Sequence, residues 1–200
     1  MGSSVNRAPR RTEEGFPGER GRFLLEIKTI ADIGLVGYPN AGKSSLLAAL
    51  SHATPKIAAY PFTTLNPILG VVELPDYRRY TIADIPGLVE GAHGGAGLGH
   101  DFLRHIERCQ AFAFVVDMAG SEGRNPIEDF QKVREELKLY RAELAHRRFV
   151  VVANKMDLRG AVENLDAFRK RIRRRPLAVS ALAGDGIPQL KRELAKLLVA

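Results

Sequence analysis

One segment constrains the fold of this chain more than any other, because it joins a strand, a turn bounded by glycines and the start of a helix. Residues 32–47 read DIGLVGYPNAGKSSLL, in which Gly37, Gly42, Lys43 and Ser44 occupy the fixed positions of a phosphate-binding P-loop. Glycines at both ends of the turn let successive backbone amides point at phosphate oxygens, and the following helix adds the positive end of its dipole. The segment therefore predicts a triphosphate bound at this turn.

The side chains of the loop suit the charge of a triphosphate. Lys43 places a compact cation between the outer phosphates, and the Ser44 hydroxyl is suited to be a ligand of the Mg²⁺ ion that bridges them. The residues expected to contact the phosphates are Gly37, Tyr38, Pro39, Asn40, Ala41, Gly42, Lys43, Ser44 and Ser45.

Short apolar runs alternate with longer amphipathic stretches from residue 30 onward, which is typical of an α/β protein. We expect a six-stranded, mostly parallel sheet with helices on both faces. The predicted strands are 32–36, 68–74, 80–84, 111–117, 149–154 and 177–180, and the predicted helices are 43–50, 100–108, 126–145, 162–173 and 188–199. The connections 51–67 and 87–99 are too long for simple turns, and loops of that length are usually functional.

A DxxG sequence, made of Asp84, Ile85, Pro86 and Gly87, follows the third predicted strand. Because that strand belongs to the same sheet as the P-loop, the Asp84 carboxylate can reach Mg²⁺ through water. The Gly87 amide can meet the terminal phosphate. We therefore expect this segment to sense that phosphate.

The first long connection carries Phe62, Thr63 and Thr64, and the hydroxyls of the two adjacent threonines are candidate magnesium ligands. One of them would complete the magnesium shell while the terminal phosphate is present, and loss of the phosphate would release the loop. The alternative is that the threonines only form a turn.

The sequence Asn154-Lys155-Met156-Asp157 follows a strongly apolar strand, so its side chains emerge at the carboxyl edge of the sheet. The Asp157 carboxylate can accept two hydrogen bonds from N1-H and the 2-amino group of guanine, whereas adenine offers no donor at either place. The Lys155 stem can cover the purine plane, and the Asn154 amide can brace the P-loop. These residues predict a preference for GTP over ATP.

A second loop is expected beside the base. Ser180, Ala181 and Leu182 follow the last predicted strand, and a backbone amide there can bind the guanine carbonyl oxygen.

Composition limits the partners of the chain. Of its 200 residues 45% are hydrophobic, yet the apolar runs are strand-sized and shorter than a membrane span, so no membrane partner is expected. Thirty Lys and Arg against 23 Asp and Glu give a net charge of +7, which attracts polyanions. The densest charge run, 169–175, is either a solvated helix end or a contact to RNA phosphates.

Taken together, the motifs resemble the Obg family of ribosome-associated GTPases. The resemblance rests on GYPNAGKSSLL at 37–47, YPFTTLNPILGVV at 60–72, ADIPGLVEGAHGGAGLGHDFLRHIERC at 83–109 and NKMDL at 154–158. It implies a Ras-like P-loop fold, GTP and GDP as ligands, and Mg²⁺ held by Ser44, Thr64 and Asp84. It also implies a role in assembly of the large ribosomal subunit, with rRNA as a partner and guanosine tetraphosphate as a competing ligand. Separately, we expect the chain to be a monomer.

The resemblance also divides the chain. Residues 1–29 look like the tail of a glycine-rich Obg domain plus a linker, and 30–200 look like the GTPase domain. The polar, Arg-rich start has no apolar stretch behind it, so we expect a bacterial cytoplasmic protein, with an organellar origin left open.

Catalysis is assigned to Asn40, Lys43, Thr64 and Gly87. By resemblance, Leu88 stands where Ras-like proteins have a water-orienting glutamine, and because an apolar side chain cannot position water we expect slow hydrolysis. Asn40 can direct its amide oxygen at a K⁺ ion beside the phosphates. Alternatively, Asn40 only hydrogen-bonds the loop backbone.

Two other functions fit parts of the pattern. One is a P-loop phosphotransferase, which would carry an arginine-rich lid and no guanine-reading aspartate. The other is an RNA- or ribosome-binding module with a regulatory nucleotide site.

Overall fold

The computed structural model describes residues 15–18, 20–22, 30–52, 54–57, 67–85 and 106–198. The strands in these residues are Ala31–Val36 (β1), Lys56–Ile57 (β2), Ile68–Glu73 (β3), Arg79–Asp84 (β4), Cys109–Asp117 (β5), Phe149–Asn154 (β6) and Leu177–Ala178 (β7). The helices are Lys43–Leu50 (α1), Pro126–Tyr140 (α2), Ala142–Ala145 (α3), Ala161–Ile172 (α4) and Ile187–Leu198 (α5).

The described strands form one sheet in the order β2-β3-β4-β1-β5-β6-β7. The pairs β1–β4, β1–β5, β5–β6 and β6–β7 are parallel, and β2–β3 and β3–β4 are antiparallel. The carboxyl ends of five parallel strands therefore meet at one edge, and the strand order reverses at β1. Open α/β sheets bind ligands at such an edge.

Helices cover both faces of the sheet, as predicted. On one face Leu46 and Leu47 of α1 and Leu190 and Leu194 of α5 pack on β1 around Ile33. The other face is rich in phenylalanine: Phe114 of β5 contacts Phe130 of α2, which contacts Phe168 of α4, with edge-on rings 5.5 and 5.3 Å apart. Because both faces of the sheet are packed against helices, the carboxyl ends of the strands are held in defined positions.

Local signals set the start of α2. The Asn125 side chain accepts a hydrogen bond from the amide of Ile127 at 2.9 Å, and Pro126 occupies the first turn, where its missing amide hydrogen costs nothing. Among the described residues no helix has the length and apolarity needed to cross a membrane.

The structure corrects two details of the predicted elements. The sheet has seven strands rather than six, because Lys56 and Ile57 pair with the start of β3 inside the predicted loop 51–67. The predicted helix 126–145 is two helices, because Arg141 is extended (φ −156°, ψ 116°). The predicted helix 100–108 falls largely outside the described residues, and loop 87–99 falls entirely outside them.

Candidate functional site

The turn between β1 and α1 has a backbone that depends on its glycines. Gly42 has a left-handed φ of +89°, and a Cβ built there would lie 2.3 Å from Asn154 Nδ2. A Cβ on Gly37 would lie 2.3 Å from the Val115 carbonyl oxygen of β5. Any larger residue at either position would force the turn off the sheet edge, so both glycines are required for this close approach.

Lys43 is the buried cation of the turn. Its side chain is 8% exposed, and its Nζ donates to the carbonyl oxygens of Gly37 and Tyr38, both at 3.0 Å. Burial lowers the pKa of Lys43, and the neighbouring Asp84 carboxylate opposes that shift. The ammonium thus sits in a partly desolvated position where its charge is weakly screened, which favours an anionic ligand.

Ser44 and Asp84 meet where α1 begins and β4 ends. The Ser44 hydroxyl donates to Asp84 Oδ2 at 2.5 Å, and Asp84 is 5% exposed. Its second oxygen, Oδ1, is buried and has no hydrogen-bond partner within the described part of the chain. A hydroxyl beside a carboxylate with an unsatisfied oxygen is the donor chemistry that Mg²⁺ selects, so these two residues fit the predicted magnesium site.

Asn154 ties the phosphate turn to the loop after β7. The side chain is 2% exposed. Its Nδ2 donates to the Ala41 carbonyl oxygen at 2.9 Å, and its Oδ1 accepts the Ala181 amide at 3.1 Å. The amide therefore braces the turn, as predicted from sequence, and holds the 180–182 loop through the same side chain.

Asp157 is held at the carboxyl edge by Ser180. The Ser180 hydroxyl donates to Asp157 Oδ1 at 2.6 Å and accepts the Ala183 amide at 2.9 Å. Ser180 is 1% exposed, whereas Asp157 is exposed. The Ser180 hydroxyl thus orients one carboxylate oxygen, while the Asp157 side chain stays accessible. A carboxylate that hydrogen-bonds a planar base needs both properties.

Lys155 is anchored to the turn that follows β5. Its backbone is left-handed (φ 62°), and its Nζ donates to Asp117 Oδ2 at 2.7 Å and to Ser121 Oγ at 3.2 Å. These contacts fix the ammonium, so the aliphatic stem is held across the edge of the sheet.

Asn40 has a partner that the sequence did not predict. Its Nδ2 donates to Glu122 Oε1 at 2.9 Å, in the short turn after β5. This bond is to a side chain of another segment, and both the K⁺ role of Asn40 and its alternative, a hydrogen bond to the loop backbone, stay predictions. Both side chains are exposed.

Tyr38 is covered by a neighbouring ion pair. The Arg124 guanidinium lies 3.9 Å from the centre of the Tyr38 ring. It also donates to both carboxylate oxygens of Asp129 at 2.9 Å. This hydrogen bonding raises the pKa of Arg124. Tyr38 is thereby fixed at the outer side of the turn.

The remaining predicted residues divide into two groups. Pro39 and Ser45 are exposed at the turn, Ile85 is fully buried, Met156 packs partly on the core and Leu182 is 89% exposed. Phe62, Thr63, Thr64, Pro86, Gly87 and Leu88 lie outside the described residues.

Two residues that sequence reasoning missed are Asp117 and Glu122, the partners of Lys155 and Asn40. Asp117 ends a strand at the carboxyl edge, and that position was a usable signal. Glu122 stands in a three-residue turn whose place beside the P-loop is set by the fold, so no local pattern marked it.

Comparisons with known proteins agree with this geometry. Residues 32–155 match a protein family described as 50S ribosome-binding GTPase. Proteins called GTPase Obg from Akkermansia muciniphila and Desulfitobacterium hafniense are 58% and 54% identical to this chain over 197 and 198 residues, 98% of it in each case. The chain spans 56% and 47% of the length of these two relatives.

Among solved structures, the G domain of the FeoB iron transporter from T. maritima is similar, with a TM-score of 0.65 and 19% identity. The match covers 84% of this chain and 98% of that one. At this identity the similarity shows a shared fold.

Proposed function

Because the chain belongs to the 50S ribosome-binding GTPase family, we propose that it binds GTP with Mg²⁺, hydrolyses it slowly and switches between two states. The observation that carries this proposal is the single side chain of Asn154, which joins the phosphate turn to the loop holding Asp157. The phosphates and the base of one nucleotide are thereby recognised by parts of one rigid unit.

Phosphate binding rests on the turn and on Lys43. Its ammonium already lies between the carbonyl oxygens of the loop, and phosphate oxygens are stronger acceptors for the same cation. Ser44 and Asp84 would hold Mg²⁺, with Thr64 as a further ligand. The ion supplies charge neutralisation for the outer phosphates when bound.

Base selection rests on Asp157. Guanine presents two adjacent donors to this carboxylate, and adenine would leave its oxygens unpaired. The Ser180 hydroxyl keeps one carboxylate oxygen oriented, and the loop amide near Ala181 binds the guanine carbonyl oxygen. We therefore assign GTP and GDP as ligands.

Hydrolysis proceeds by attack of water on the terminal phosphate, in line with the departing oxygen. Gly87 senses that phosphate, Lys43 offsets the developing charge, and no water-orienting glutamine follows the DxxG segment. Asn40 assists by directing its amide oxygen at K⁺ once its nitrogen leaves Glu122. Equal hydrolysis rates in K⁺ and Na⁺ at one ionic strength would remove K⁺ from the proposal.

The wider role we propose is in assembly of the large ribosomal subunit in a bacterial cytoplasm, with rRNA as partner and guanosine tetraphosphate as a competitor at the same pocket. The chain acts as a monomer made of a GTPase domain, 30–200, after the tail of a preceding domain, 1–29. The family description supports the ribosomal part of this role.

Phosphate release tests the proposal most simply. The chain is expected to hydrolyse GTP and not ATP, and Asp157→Asn is expected to lose GTP while gaining xanthosine triphosphate, because the amide donates where the acid accepts. Equal release from GTP and ATP by the parent, or unchanged preference in Asp157→Asn, would contradict it. Transfer of phosphate to a small acceptor instead of water would favour the phosphotransferase alternative.

A further inference from the structure

A groove lined by arginines lies where α4 ends and β7 begins. Arg169, Arg173, Arg174 and Arg175 line it together with Pro176, Leu177 and Gln189, and its volume is about 750 Å³. We call these seven residues the arginine groove. None of the described residues that line it is acidic.

The groove carries more positive charge than is needed to offset the dipole at the carboxyl end of α4. Arg169, Lys170 and Arg171 already lie in the last turn, where cations offset the helix dipole. Of these three cations, only Arg169 has an acidic partner among the described residues, Asp166 at 3.6 Å. Within the part of the chain that the structure describes, none of the three arginines that follow the helix forms an ion pair.

Two of the arginines that follow the helix, Arg173 and Arg174, have a defined conformation or contact. Arg173 ends α4 in the left-handed conformation (φ 54°), which turns the chain sharply into the groove. The Arg174 guanidinium lies 5.0 Å from the centre of the Phe149 ring at the start of β6. Part of the cost of ordering this side chain is therefore met before any ligand arrives.

The groove lies beside the outer strand β7, where the chain enters that strand. The nucleotide site lies at the other end of the strands, their carboxyl ends. Among the described strands β7 is an outer strand that pairs only with β6. Arg173, Arg174 and Arg175 precede β7, whereas the P-loop, Asp157 and Ser180 follow the carboxyl ends of their strands. A ligand in the groove and a nucleotide can therefore be bound at once.

We propose that the arginine groove binds the phosphate backbone of RNA. Consecutive guanidinium groups can form paired hydrogen bonds to phosphate oxygens, and a concave, unpaired cationic surface fits an anion that repeats along a chain. The inference deepens the proposed function by naming a surface for its RNA partner, and it rests on that function only for the choice of RNA over other polyanions.

The salt dependence of the RNA affinity gives the expected size of the groove's contribution. If the four arginines neutralise about four phosphates of a single strand, the logarithmic slope of affinity against salt is about −3, so affinity falls roughly 50-fold between about 50 and 200 mM salt. Removing three of them leaves a slope of about −1 and a fall of roughly threefold.

The test compares R173Q/R174Q/R175Q with the parent chain, using fluorescence anisotropy of a labelled oligouridine at both salt concentrations. The matched control R78Q/K138Q/R192Q removes the same charge from exposed positions elsewhere. We expect at least tenfold weaker RNA binding and the shallower slope in the groove variant alone. Equal losses in both variants, unchanged binding in the groove variant, or binding to anionic phospholipid vesicles but not to RNA would overturn the inference.

GDP binding measured on the same samples separates this inference from the proposed function. Both variants are expected to bind GDP as the parent does, which also shows that they are folded. A parent chain that binds RNA through the groove and does not bind GDP would contradict the proposed function and leave the groove assignment standing.

Discussion

Asn154→Ala is the substitution that most sharply tests the bridge between the two halves of the site. The side chain is 2% exposed and both ends of its amide are bonded, to the Ala41 carbonyl at 2.9 Å and to the Ala181 amide at 3.1 Å. Alanine leaves both backbone groups without this partner. Ala41 is buried, so its carbonyl bears most of the desolvation cost.

The magnitude follows from these two bonds. An unsatisfied buried polar group costs about 1–3 kcal/mol and a partly exposed one less, so the free energy of unfolding should fall by about 3 kcal/mol. For a domain of this size the melting temperature should fall by about 6–12 °C. Because the phosphate turn and the base loop then move independently, GDP affinity should fall at least tenfold, about 1.4 kcal/mol.

Asn164→Ala provides the matched control. Its Nδ2 donates to the Met118 carbonyl oxygen at 2.8 Å, and its side chain is not one of those proposed to contact the nucleotide. The buried Met118 carbonyl then loses one partner, which costs about 1–3 kcal/mol, and the better helix propensity of alanine in α4 offsets about 0.5 kcal/mol, so the loss should be about 1–2 kcal/mol. Urea unfolding of nucleotide-free protein and titration with labelled GDP measure both variants. Equal destabilisation of the two, or unchanged GDP affinity in Asn154→Ala, would refute the bridging role.

Three further predictions concern other parts of the fold. Gly42→Ala should weaken GDP binding at least hundredfold, because φ is +89° and no room exists for a Cβ. The control Gly160→Ala, at φ +79° with nothing within 4 Å, should lower the free energy of unfolding by only about 1 kcal/mol through backbone strain. Similar GDP affinities in the two variants would contradict this. Ser180→Ala should lower GDP affinity about tenfold by releasing the base-reading carboxylate, without improving ADP binding. Cys109 is 2% exposed and burial raises its pKa to about 12, so at pH 8 the folded thiol should react with a disulfide reagent roughly a thousandfold more slowly than the unfolded one; fast labelling of folded protein would show that β5 is open.

The site was largely predictable because its chemistry is local in sequence. The P-loop and the 154–157 segment each combine a strand end with residues whose spacing suits the proposed ligand. The predicted resemblance to Obg GTPases is confirmed by the relatives. The sheet followed from the alternation of apolar runs, apart from β2, whose two residues are too few for any periodicity.

What the sequence could not predict depends on packing between distant segments. Glu122 lies 82 residues from its partner Asn40, and only the folded sheet brings the two side chains together. The break at Arg141 carries no glycine or proline. The Arg141 guanidinium instead pairs with Glu107 at 3.1 Å, and Glu107 lies in the segment that precedes β5. Helical periodicity in the sequence cannot predict a contact between segments so far apart.

We propose that one pocket selects a guanine nucleotide through Asp157 while the glycine-bounded turn binds its phosphates. Calorimetric titration of the folded chain with GDP and then ADP, both with Mg²⁺, measures this directly. We predict heat of binding with one GDP per chain and none with ADP. A folded sample that gives no heat with GDP, or equal affinity for the two nucleotides, would contradict the claim.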